Sequence, residues 1–157
     1  MTLTAVEPWV EPPLKRFVDE SRTVLALLLH PSGQVLAQYG FARAVDVMSA
    51  CALAAAIHAS SAELGRQLGG KPFRILHHSG VERQIFLSEA MTPRGAYIFL
   101  TVFDDESSLG LVRLYYEELC RDLAAAAPPL EEHSEAVLDV NFERDLNRNL
   151  SALFGRS

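Results

Sequence analysis

The sequence predicts an α/β sandwich: a five-stranded antiparallel sheet lies between helices, in the order α-β-β-α-β-β-β-α, and a helical tail follows. Three observations predict it. Five short apolar runs are separated by turn signals, and strands joined by hairpins pair antiparallel. One of these runs, AYIFLTVF (96–103), is apolar almost throughout, which suits a strand covered on both faces. Two long stretches carry a helical apolar period instead, so helices are available for both sides of the sheet.

Residues 1–10 contain Pro8 and Trp9 and read as an irregular arm. PPLKRFVDES (12–21) makes a short helix, with Pro12 and Pro13 tolerated in its first turn. In TVLALLLHPSGQVLAQYG, Pro31-Ser32-Gly33 is a tight turn between strands at 23–30 and 34–39. The long helix runs from Ala44 to Leu68, where Gly69-Gly70 and then Pro72 stop it. Strands follow at 73–79, 83–90 and 96–103, turning through Gly80-Val81-Glu82 and Thr92-Pro93-Arg94-Gly95. A second long helix begins after FDDE, with Ser107 as its cap and acids suited to the positive helix end. Val112, Tyr116, Leu119 and Leu123 give it a core stripe, and Pro128-Pro129 close it. The expected organisation is a domain at 1–127, an acidic linker at 128–140 and an amphipathic tail helix at 141–157. In the tail, Phe142, Leu146, Leu150 and Leu153 share one side.

The long helix poses the main question, because SACALAAAIHAS (49–60) holds few large side chains with which to fill a core. Steps of about 100° per residue separate three faces. Leu53, Ile57, Leu64 and Leu68 share one side, which predicts that this side meets the sheet. Val47, Cys51, Ala54, His58, Ala62 and Gly65 form a neighbouring stripe. Met48, Ala52, Ala55, Ala59 and Arg66, with Glu63 at the rim, lie roughly opposite the large residues, where most amphipathic helices carry charge. A row of exposed methyl groups reads as a contact surface.

Composition narrows the classes of function. Hydrophobic residues make up 49 % and charged residues 22 %, as in soluble globular proteins. A formal charge of -6 and a pI near 5.3 exclude the basic excess of a nucleic-acid surface. No apolar run approaches the about 20 residues needed to cross a bilayer, and MTLTAVEPWVEPP has neither the basic nor the apolar part of a signal peptide. A cytoplasmic protein is expected. Cys51 and Cys120 lie far apart in helical patterns and read as buried free thiols.

Several motifs mimic chemistry. GRQLGGKP (65–72) nearly fits a phosphate loop, but Pro72 stands where a magnesium-binding hydroxyl is needed and the segment ends a helix instead of starting one. His77 and His78 are adjacent in a strand and point to opposite faces, and His30, His58 and His133 fall on separate elements. Asp104, Asp105 and Glu106 fit helix-start electrostatics better than a metal cluster. No catalytic residue, cofactor or metal is expected. Among the arginines, Arg94 on its turn is the most finger-like by position for stabilising a partner's transition-state charge, ahead of Arg83 and Arg113.

The order of elements resembles the roadblock (dynein light-chain) domain. FDDESSLGLVRL (103–114) looks like the strand-to-helix junction of the bacterial MglB family, and HHSG (77–80) and the alanine-rich helix fall where that family has similar stretches. The resemblance covers about residues 23–123. It implies a homodimer that binds a small Ras-like GTPase, MglA, and stimulates GTP hydrolysis by rearranging the GTPase's own switch regions, without an arginine finger. It also implies that the long helices pair, that the sheets join edge to edge, and that the GTPase lies across the paired helices. One small-residue row then serves the second copy and the other the GTPase, and the residues alone do not say which. Matching to the family turns Met48, Ala52, Ala55, Ala59, Glu63 and Arg66 toward the GTPase, although the family prefers small residues where this chain has Glu63. Val47, Cys51, Ala54, His58, Ala62 and Gly65 are left for the dimer. The tail, through Phe142, Leu146, Leu150, Leu153 and Phe154, becomes a second contact, on the GTPase or on its own domain. The alternative is an adaptor that recruits partners to a polarity or motility complex without altering hydrolysis.

Overall fold

The computed structural model describes residues 4–5, 7–40 and 44–129, together with Arg144 and Arg148. Its strands are β1 (Thr4–Ala5), β2 (Leu25–Leu29), β3 (Val35–Gly40), β4 (Ile75–Ser79), β5 (Gln84–Thr92) and β6 (Gly95–Phe103). Its helices are α1 (Glu11–Ser21), α2 (Ala44–Gly69) and α3 (Leu109–Ala126). The strands form one antiparallel sheet in the order β1-β3-β2-β6-β5-β4. The five expected strands are present. A sixth, β1, comes from the stretch that reads as an irregular arm, where Thr4 and Ala5 pair with Gln38 and Ala37. The turn after it buries Val10, and the Trp9 indole donates to Glu7 at 2.8 Å.

β6 is the inner strand its composition predicts. It pairs with β2 from Leu25↔Val102 to Leu29↔Ile98, and with β5 from Gln84↔Phe103 to Thr92↔Gly95. Alternation along these strands sends side chains into two cores. On one face, Phe17 of α1 meets Phe99 edge-on at 4.9 Å, and Phe99 stacks on Tyr116 of α3 at 5.3 Å. The expected stripe of α3, Val112, Tyr116, Leu119 and Leu123, lies wholly in this core. On the other face, Leu25, Leu27, Leu29, Leu87, Ile98 and Leu100 lie under α2.

The start of α3 differs from expectation by one residue. Ser108 is the cap, accepting from the Leu111 amide at 3.2 Å. Ser107 turns the other way and donates to the Ser21 carbonyl, which fastens the β6–α3 junction to the end of α1. Arg16 adds a surface strap from α1 to Glu118 and Asp122 of α3, at 3.2 and 3.0 Å. In the C-terminal stretch, Arg144 and Arg148 are helical and exposed.

Burial pushes the thiols of Cys51 and Cys120 and the phenol of Tyr116 up from their ordinary values. The folded values are raised, so the unfolded chain ionises first as pH rises. The stabilisation is complete below the ordinary thiol value of 9.0 and is lost as pH climbs through the folded values. The urea midpoint is therefore expected to fall steadily above about pH 9, and less steeply in Cys120→Ala.

Candidate interaction surface on the long helix

α2 meets the sheet with its small side chains. Val47, Cys51, Ala54, Ala62 and Gly65 are buried, and the first three pack on Leu27, Leu29 and Leu87. His58, in the same stripe, approaches Glu89 of β5 at 3.4 Å. This corrects the predicted facing of the helix. Leu53, Leu64 and Leu68, expected against the sheet, are 62 %, 51 % and 73 % exposed, and Ile57 is half-buried. The stripe of Val47, Cys51, Ala54, His58, Ala62 and Gly65, expected at a dimer contact, lies against the chain's own sheet and the loop that follows α2. The physical reason is volume. The sheet supplies leucines and isoleucine to this core, and the helix comes close only by offering little in return.

Gly65 marks the closest approach. A Cβ built there would stand 2.5 Å from the Phe73 amide nitrogen and 2.7 Å from the Lys71 carbonyl, so the chain entering β4 passes directly over the helix. At the other end, the Pro31–Gly33 turn rests on the helix: a Cβ at Gly33 would lie 3.7 Å from the Ala52 Cα and 3.9 Å from the Ala55 Cβ. Part of the small-residue pattern thus makes room for the chain's own loops.

What remains outside is an apolar ridge with two flanks. One carries Leu53, Ile57, Leu64 and Leu68. The other carries Met48, which is 76 % exposed, then Ala52, Ala55 and Ala59, with Glu63 and Arg66 joined to each other at 3.1 Å. All six residues read from the family as facing a GTPase lie along this second flank. Ala55 is half-buried and the other five are exposed. Ala59, Ser60, Glu63, Leu64 and Gln67 line a shallow groove of about 520 Å³ that bridges the flanks. Periodicity alone missed the exposed leucine flank. A helix whose Cys, His and Gly recur on the same side as alanines was the signal for it.

By length and composition, Val47–Gly69 is apolar enough to cross a membrane, with mean hydropathy 1.3, and only 22 % of that apolar window is buried. The expectation that no run approaches a membrane span does not hold for this helix, because alanines count toward hydropathy although they add little volume.

The other candidates fall elsewhere. The glycine-rich decoy is a helix end: the Gly70 amide donates to the Arg66 carbonyl at 2.9 Å, and Gly70 takes φ +76. Arg94 lies on the two-residue tip between β5 and β6, half-buried, its amide donating to the Thr92 hydroxyl at 3.1 Å. Phe142, Leu146, Leu150, Leu153 and Phe154 lie outside the described residues.

This architecture is similar to solved structures. Myxococcus xanthus MglB matches with a TM-score of 0.68 and 21 % identity, over 76 % of this chain and 95 % of that one. The gliding protein MglB of Thermus thermophilus matches at 0.67 and 24 %, over 76 % and 89 %. A Roadblock/LC7 domain from Streptomyces avermitilis matches at 0.61 and 18 %, over 75 % and 93 %. No family model and no curated protein matches the sequence. The likeness shows the fold: the chain has the roadblock architecture.

The close passage at Gly65 makes a direct test of the corrected facing. Gly65→Ala is expected to cost about 1–3 kcal/mol in chemical denaturation, because neighbouring backbone must move. Ala56→Ser, on the outer side of the same helix, is expected to change stability by less than about 0.5 kcal/mol.

Proposed function

We propose that this chain works as a homodimer and as a non-enzymatic activating protein for a small Ras-like GTPase of the MglA type. The observation that carries the reading is the outer surface of α2. A helix of 26 residues, about 39 Å long, is held to the sheet along one narrow side and leaves apolar flanks on both others. The names of the similar solved structures point the same way.

The two flanks suit two partners. Symmetric helix pairing gains most from the larger side chains, since each leucine removed from water contributes about 1.5–3 kcal/mol. Leu53, Ile57, Leu64 and Leu68 are therefore assigned to the second copy, in place of the stripe that packs on the chain's own sheet. Met48, Ala52, Ala55 and Ala59, rimmed by the Glu63–Arg66 pair, are assigned to the GTPase. Their methyl groups allow a switch segment to approach the helix backbone closely. Polar groups along the ridge, Ser60, Glu63, Arg66 and Gln67, favour protein partners over lipid.

The chain then acts by conformation. It binds the hydrolysis-competent arrangement of the switch regions better than the resting one, and that difference in affinity is all that can shift the equilibrium. No residue of this chain enters the chemistry. In this reading residues 1–127 form the dimerising domain, 128–140 a linker, and 141–157 a helix that reaches the GTPase away from its switches. The protein is placed in the cytoplasm, where such a GTPase acts.

Mixing the chain with an MglA-type GTPase and following phosphate release tests the proposal. Accelerated turnover with complex formation is expected. A complex with unaltered turnover would select the adaptor instead, and no complex would remove both readings. Ala59→Arg is expected to lower GTPase affinity at least about tenfold, by placing an unpaired charge in a desolvated contact, while the dimer mass stays the same. Leu64→Glu is expected to do the reverse first, giving single chains in sedimentation. Deleting 141–157 should leave the unfolding midpoint of the domain in place and weaken GTPase binding.

A further inference from the structure

The outer edge of the sheet carries a second feature. β4 pairs with β5 on one side only, from Ile75↔Ser88 to Ser79↔Gln84. Its other edge is unpaired among the described residues. The strand itself carries no proline, no lysine and no bulge, and Ile75, His77, His78 and Ser79 are exposed. For the edge-to-edge homodimer that the family resemblance implies, we propose that the two His77 imidazoles, brought together on the two-fold axis, form a binding site for a divalent d-block ion such as Zn²⁺. The inference rests on the dimer reading above and names a ligand for its axis.

Symmetry sets the register. A two-fold axis perpendicular to the sheet keeps both copies of α2 on one face, so directly opposed residues must also share a face. Faces alternate along a strand, so the numbers of two opposed residues must sum to an even value. Among those registers, only the one that sets His77 opposite His77 of the partner subunit engages all five residues of the strand. The two Cβ atoms then stand about 4.5–5.5 Å apart. Two imidazoles at that spacing can converge on one ion with Zn–N bonds of about 2.0–2.1 Å, and water completes the coordination.

His77 is prepared for this role within one chain. Its Nε2 is 2.7 Å from the Gln84 Oε1, and its ring stacks over Phe103 with centroids 6.1 Å apart and planes at 19°. An amide oxygen only accepts, so Nε2 carries the proton and Nδ1 holds the lone pair. A carbonyl that fixes the tautomer in this way is the usual support of a metal-bound imidazole. Among the described residues no single chain gathers three His, Cys, Asp or Glu side chains, so the site is incomplete without the second copy. His78 faces the other side of the sheet, opposite Leu76 of the partner subunit in this register, and serves as the control.

Sedimentation equilibrium of the full chain, with Zn²⁺ or with chelator, tests the proposal. Zn²⁺ is expected to tighten dimerisation by at least about tenfold, with one ion per two chains by native mass spectrometry. His77→Gln is expected to lose both effects and His78→Gln to keep them. A dimer whose dissociation constant ignores Zn²⁺, an ion count of one per chain, or equal losses in both variants overturns the metal site while leaving the dimer standing. Single chains at every concentration, with and without Zn²⁺, overturn the dimer reading and the site together.

Discussion

The structure depends on a volume match between one helix and the sheet it covers. Six leucine and isoleucine side chains of β2, β5 and β6 already fill the space beneath α2. A second layer of large side chains would hold the helix away from the sheet and leave voids between them. Val47, Cys51 and Ala54 let it settle, and Gly65 lets the following chain cross above it. The leucines of α2 are left on the outside because the inner layer has no room for them. The opposite face is built differently: aromatic rings from α1, β5, β6 and α3 interlock there, and the helices bring the bulk.

That asymmetry links packing to function. A helix that gives its small side to its own core must show its larger apolar side to water or to a partner, and water is the costlier choice. α2 touches the sheet along one stripe, and its polar tie to β5 is the approach of His58 to Glu89. A second copy over the leucine flank would stiffen the helix and complete the surface presented by the alanine flank. The edge strand β4 extends the same logic to the sheet, whose hydrogen bonds stop there among the described residues.

Much of the fold was legible because local signals agreed with the global arrangement. Pro31-Ser32-Gly33 and Pro93-Arg94 sit in turns, AYIFLTVF is the inner strand, and the α3 stripe lies in the core, since turn chemistry and periodicity speak there without competition. The face of α2 was not legible from size. Ranking residues by bulk turned Leu53, Leu64 and Leu68 inward, whereas the sheet's own leucines decide the matter and lie in other segments of the chain. Thr4–Ala5 escaped notice because a two-residue strand has no period to read. Ser107 and Ser108 are adjacent candidates for one cap, and only the carbonyl of Ser21, far away in sequence, separates their roles. The family resemblance correctly anticipated the roadblock architecture, while the flank proposed for the second copy is redrawn from burial.

The central claim is that the leucine flank of α2 is covered by another copy of the chain. Sedimentation equilibrium of the wild-type protein at micromolar concentration, without metal or partner, tests it most directly. The account predicts a mass of twice the 17.3 kDa of one chain, with dissociation only on strong dilution. A mass of one chain that stays constant across the concentration range would contradict it.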